Sequence, residues 1–121
     1  MKQLRHQLKL ATMLGLLVAG LAGAFQNALA LDAAGEGRRA WLKYNCYGCH
    51  GMRAGGGMGP AIAGEGEEIY EAVTYGKGEG MPAYGTLVNG TEIANMATYL
   101  RSINSSGEPM FLHWWELVPT Q

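Results

Sequence analysis

The apolar positions of this chain change their period as it is read from the start, and each change marks an element. Leu10 to Phe25 is a sixteen-residue stretch of small and aliphatic side chains with no polar period. Beyond it the period becomes helical. Ala40, Trp41, Tyr44 and Tyr47 fall on one face and predict a helix from Gly35 to Tyr47. Ile69, Ala72 and Val73 share a face and predict a shorter helix over Glu65–Tyr75, with Glu67 and Glu68 as solvated carboxylates in its favourable first turn. Ile93, Met96, Ala97 and Leu100 follow the i, i+3, i+4, i+7 pattern of a core stripe, with Tyr99 beside it. Asn89 and Glu92 supply a capping box for this last helix, which Asn104-Ser-Ser-Gly107 stops near Ile103. No alternating pattern of strand length appears, so the expected fold class is all-α.

Glycine interrupts the helices in two places. Residues 51–90 hold 12 glycines in 40 positions, concentrated in Gly51–Pro60 and Gly76–Gly80. Within the first helix, Gly37 permits a second helix to cross closely, with Trp41 as its partner in that contact. The alternative is that Gly35 and Gly37 only precede or cap the helix. The tail, 108–121, places Phe111, Trp114 and Trp115 between prolines. It either wraps the small core or docks a partner through its exposed aromatics.

The start of the chain carries an address. Lys2, Arg5 and Lys9 precede the apolar stretch, and Ala28-Leu29-Ala30 follows it with a small-x-small cleavage signature. Residues 1–30 therefore read as a signal peptide, cleaved to leave a 91-residue chain beginning at Leu31. The competing reading, a retained anchor, asks sixteen residues to span a bilayer that needs about 20. Removing this segment takes three positive charges and no acid, so the net charge moves from −1 to −4. That balance argues against nucleic acid as a partner; it reads first as a device for solubility, and a charged docking partner, where there is one, presents a basic rim.

A 91-residue chain has little core of its own, and Cys46-Tyr47-Gly48-Cys49-His50 points to what fills it. Cys-x-x-Cys-His is the attachment site of a c-type haem: two thiols one helical turn apart form thioethers to one porphyrin, and the adjacent His50 is an axial iron ligand. Zinc would need two more ligands, and outside this stretch only His6 and His113 remain among histidines, with no further cysteine. A redox dithiol would want a βαβ setting, which is absent from the pattern. The glycine-rich segments then read as tight turns around a flat cofactor rather than as a linker.

The second axial position decides between an electron carrier and an open site. Candidates beyond residue 30 are Met52, Met58, Met81, Met96, Met110 and His113. Met52 is too near His50 to reach the opposite face, Met96 belongs to the core stripe, and Met110 and His113 lie past the last helix. Met58 and Met81 remain.

Over residues 35–103 the chain resembles a class I monohaem cytochrome c: Cys46 to His50 match its attachment motif, Gly59-Pro60 its Gly-Pro after the histidine, Met81-Pro82 its Met-Pro, and Tyr99-Leu100 its last helix. The resemblance implies a small fold of about three helices packed around one covalently bound haem c, in a domain spanning 31–107. It implies Met81 as the distal ligand and the Pro60 carbonyl as acceptor from the second ring nitrogen of His50. It also implies attachment of the cofactor outside the cytoplasm, in the periplasm. The Gly55–Pro60 loop and the Trp-rich tail are similar to bacterial cytochromes that accept electrons from quinoprotein alcohol dehydrogenases.

The expected function is one-electron transfer in the periplasm by a monomer without a membrane span, between a dehydrogenase and a downstream oxidase or cytochrome. No acid/base pair marks it as an enzyme. The alternatives are a peroxidase-like haem enzyme with a labile distal ligand and a haem-bearing subunit fixed in a larger redox complex.

Overall fold

The structure, a computed structural model, describes residues 31–116. The expected signal segment 1–30 and the last five residues of the tail lie outside them. Four helical segments are described: α1, Ala33–Lys43; α2, Tyr47–His50; α3, Ile69–Tyr75; and α4, Gly90–Ser102. No strand forms among the described residues; one isolated bridge joins Lys77 and Met81. The all-α expectation holds.

Helix α1 starts from Asp32, whose carboxylate accepts the Gly35 N–H at 2.7 Å. It does not run to Tyr47 as the spacing of aromatics predicts. Asn45 takes a left-handed conformation, φ 58°, and the N–H groups of Asn45 and Cys46 return to the carbonyls of Leu42 and Trp41 at 3.2 and 3.1 Å. This is a Schellman stop, with asparagine in the position usually given to glycine. The stop turns the chain so that α2 sets off as a separate turn, and Tyr47 leaves the α1 face for the surface.

Helices α1 and α4 form the centre. A Cβ on Gly37 would lie 2.0 Å from the Asn95 carbonyl oxygen and 2.8 Å from the Tyr99 Cβ, so the two backbones touch there. That contact brings the Trp41 and Tyr99 rings to 5.9 Å between centroids. Around it Ala40, Ile93, Met96, Leu100 and Ile103 are buried with Val73 of α3 and with Ala54 and Val88 from the loops. Each large apolar side chain fully buried in this way contributes about 1.5–3 kcal/mol. All four stripe residues of α4 are inside, and Tyr99, placed beside the stripe by pattern, is as buried as any of them.

At the start of α4 the capping box forms as expected: Asn89 accepts the Glu92 N–H at 2.9 Å and Glu92 accepts the Asn89 N–H at 3.1 Å. Glu92 also receives the Tyr44 hydroxyl at 3.0 Å and Lys43 at 3.3 Å, tying the ends of α1 and α4 together. Helix α3 begins at Ile69, four residues later than its pattern predicts. Residues 62–66 are turned against the end of α4 instead, with Gly64 N–H donating to Leu100 O at 2.8 Å and Glu65 N–H to Ile62 O at 3.1 Å.

The described part of the tail divides the two expectations for it. Phe111 is buried on the core, while Trp114 and Trp115 stay largely exposed, edge to face at 5.8 Å.

Because backbone and not a flexible side chain meets the added methyl, Gly37→Ala is expected to cost about 1–3 kcal/mol or more in denaturant unfolding. Gly55→Ala, which would meet nothing within 4 Å, serves as the control and should stay close to the parent.

Candidate functional site

The single turn α2 is built by the Schellman stop before it. His50 N–H reaches back to the Cys46 carbonyl at 3.0 Å and Cys49 N–H to the same oxygen at 3.3 Å. Residues three apart on a helical turn lie on one side, so the two sulfurs of Cys46 and Cys49 share a face. Both thiols are free; Cys46 is half-buried against the core and Cys49 is exposed. Burial pushes the Cys46 thiol up to about 11.

His50 is nearly sealed, 9% exposed. Its ring lies 6.0 Å from the Trp41 ring, and its Nδ1 lies 2.9 Å from the Pro60 carbonyl oxygen. A carbonyl only accepts, so the proton is assigned to Nδ1 and the lone pair to Nε2. The loop that delivers Pro60 is folded by its own backbone. Gly56 N–H donates to His50 O at 2.8 Å, Gly59 N–H to Cys49 O at 2.9 Å, and Ile62 N–H to Ala54 O at 2.9 Å. The first two of these bonds satisfy carbonyls left over at the end of α2. Gly59 then passes over the histidine itself: a Cβ there would lie 2.9 Å from Cε1 and 3.0 Å from Nδ1 of His50.

Met81 is on a different loop. Residues 77–81 close on themselves through Lys77 N–H to Met81 O at 3.1 Å and Met81 N–H to Lys77 O at 3.3 Å. Lys77 is further tied to Glu68 at 2.5 Å. The chain beyond is strapped along α3 by Tyr84 N–H to Val73 O at 2.7 Å and Gly85 N–H to Thr74 O at 3.3 Å. Met81 is half-buried and packs against the core with Tyr84 and Ile69. Met58, the other methionine left open by the sequence, is 87% exposed. Met96 is fully enclosed in the core, and His113 is occupied at the surface by Glu116, 2.9 Å from its Nδ1.

The donors suit a haem bound through two thioethers: paired free thiols on one side of a turn, and beside them an imidazole whose Nδ1 is engaged and whose Nε2 is left to ligate. Half-buried apolar groups, among them Cys46, Ile62, Ile69, Met81 and Tyr84, edge the core, and a flat apolar group covering them would remove more of their surface from water.

The sequence reading passed over Arg38. It is 1% exposed, with Nε donating to the Phe111 carbonyl at 2.7 Å and Nη1 to the Tyr99 hydroxyl at 2.7 Å. Its position was readable, since 34, 37, 38 and 41 make a helical stripe. Its charge argued against the core.

Residues 32–100 match the family model described as cytochrome C oxidase, cbb3-type, subunit III. Among curated proteins the chain is 35% identical over 87 residues to cytochrome c55X of Stutzerimonas stutzeri, covering 63% of this chain and 76% of that protein. No solved structure matches it.

The crowding of Gly59 on the imidazole gives a test. Gly59→Ala should tilt the ring, weaken the Nδ1–Pro60 bond and cost about 1–3 kcal/mol in denaturant unfolding. Gly80→Ala, which meets nothing within 4 Å, should leave both unfolding and the His50 ring nitrogen resonances unchanged.

Proposed function

The chain belongs to the cytochrome c family, through the group described as cbb3-type oxidase subunit III, and from that premise we propose that it carries single electrons between redox proteins on one haem c. When bound, haem c supplies a one-electron Fe(III)/Fe(II) couple. Cys46 and Cys49 would hold it through their sulfurs, and His50 would ligate through Nε2. The observation that carries this reading is the 2.9 Å approach of His50 Nδ1 to the Pro60 carbonyl. It fixes the tautomer that leaves Nε2 free, holds the ring's orientation and raises its basicity as a ligand.

Met81 would supply the second protein ligand to the iron. Its support is that its loop is closed by backbone bonds and presses it on the core, whereas Met58 stands in solvent. A thioether is a soft neutral donor, so His/Met ligation raises the potential. With His50 and Met81 both given to the iron, no protein-side place would be left for a substrate on it, which favours a carrier over a catalyst.

The wider setting follows from charge and address. Residues 1–30 direct export and are removed, and the monomer works in the periplasm. No helix among the described residues is long and apolar enough to cross a membrane. With a net charge of −4 from Leu31 onward, the partners present basic rims. A dehydrogenase, of the quinoprotein type, is the donor, and an oxidase or another cytochrome is the acceptor. The matched family is described as an oxidase subunit, and this favours a second reading: a haem-bearing subunit fixed in a larger redox complex. Stoichiometric co-purification with a partner would decide for it.

The ligand assignment is tested by Met81→Ala, which should abolish the weak near-infrared sulfur-to-iron band of the ferric protein, while Met58→Ala should keep it. The reverse would place the ligand in the other loop. A high-spin ferric spectrum with fast cyanide binding in the parent protein would instead favour a haem enzyme.

A further inference from the structure

Among the fully buried side chains described, only Trp41 is larger than Arg38. Its guanidinium lies between the Tyr99 and Phe111 rings, 5.6 and 5.7 Å from their centroids. Nε donates to the Phe111 carbonyl at 2.7 Å; Nη1 donates to the Tyr99 hydroxyl at 2.7 Å and to the Met52 carbonyl at 3.4 Å. The Tyr99 hydroxyl donates to that same Met52 carbonyl at 3.1 Å. All three acceptors of Arg38 are uncharged, and an arginine does not lose its proton in a protein. This charge is therefore buried and held by dipoles and ring faces, not by a bonded carboxylate.

The surrounding charges leave it uncompensated. Glu108 is the buried carboxylate nearby, and Arg53 takes both its oxygens at 2.6 Å, with the Asn104 N–H on one of them at 2.8 Å. The Arg53 hydrogen bonds hold the Glu108 carboxyl below the usual carboxylate range, and the charge of Arg38 adds a smaller pull in the same direction. Burial pushes the Tyr99 phenol up, so it stays neutral at ordinary pH. Two cations thus face one anion.

The place of this charge gives it a role. Met52 follows His50 by two residues, and the Trp41 ring neighbours both Tyr99 and His50, 5.9 Å from one and 6.0 Å from the other. We infer that Arg38 is an electrostatic positioning residue whose fixed positive charge, on the His50 side of the protein, favours the reduced over the oxidised state and so raises the reduction potential. The inference deepens the proposed function and rests on a haem ligated by His50. In a dry interior a unit charge acts over longer distances than in water, and the oxidised state carries one more positive charge for it to repel. A structural role is the rival: Arg38 ties the tail carbonyl of Phe111 to α4, which needs its hydrogen bonds and not its field.

Potentiometric titration of the haem-loaded protein separates the two. Arg38→Met should weaken the reduction equilibrium by about three- to tenfold, tenfold being about 59 mV for one electron. Arg38→Lys keeps the charge but cannot serve both Phe111 and Tyr99, so its unfolding midpoint should fall while its potential stays within about twofold of the parent. Glu108→Gln removes the opposing charge and should shift the equilibrium toward reduction. The inference is overturned if folded, haem-loaded Arg38→Met keeps the parental potential, or if Arg38→Lys falls as far as Arg38→Met. Should Arg38→Met yield no loaded protein, Glu108→Gln decides, and an unchanged or lowered equilibrium overturns it. A parent protein without covalent haem and a one-electron couple would defeat the proposed function instead, and is checked first.

Discussion

The crossing of α1 over α4 at Gly37, where the two backbones touch, sets the position of every group behind His50. Because Gly37 brings no side chain to that contact, Trp41 one turn on can pack against Tyr99, its ring tilted by 58°, and still neighbour the His50 ring. The same closeness lets Arg38, the next residue after Gly37, bond the Tyr99 hydroxyl across the interface. Moving α1 outward by the width of one methyl would loosen the packing behind the imidazole and the polar cluster together. Core packing and site geometry are here the same contact, and in a chain with so little interior they could hardly be separated.

What surrounds the candidate ligands is mostly backbone. The Schellman stop at Asn45 starts α2, carbonyls of Cys49 and His50 draw the following loop back, and that loop presents the Pro60 oxygen to Nδ1. Lys77 and Met81 close the second loop by exchanging main-chain bonds. Main-chain groups keep their geometry whatever side chains stand on the outer surface, so these loops can be precise without being hydrophobic. The glycine-rich composition is the visible consequence, since a loop crossing an imidazole at Gly59 has no room for a Cβ.

Much of this was legible in advance. The α4 stripe, its capping box and the Gly37–Trp41 contact each follow from periodicity or from a local hydrogen-bonding rule, and local rules act on neighbours in sequence. The pairing of Cys46, Cys49 and His50 was readable for the same reason. The end of α1 departs from its pattern because the aromatic spacing continues through Tyr44 and Tyr47, and an asparagine at the stop is a weaker signal than glycine. Helix α3 is shorter than its pattern predicts because Gly64 and Glu65 are bound to distant or turning partners that no local pattern reports. Arg38 was missed because its partners, Phe111 and Tyr99, are 73 and 61 residues away, and a charged residue on an apolar stripe reads as an exception until those partners are seen.

The burial of Arg38 is best explained by something other than stability. Removing a guanidinium from water costs several kcal/mol, and three hydrogen bonds to neutral acceptors return only part of that, at roughly 1.5–3 kcal/mol each when one partner is charged. Well-packed apolar residues of similar volume at buried ionic sites are often as stable or more so. A methionine at position 38 could fill much of the space between Phe111 and Tyr99 without the desolvation cost. What it could not supply is a permanent positive charge held in place by bonds to α4, the tail and the residue two past His50. The cost of burial and the placement of the charge therefore point the same way, toward a field acting on the site rather than a tie holding the fold.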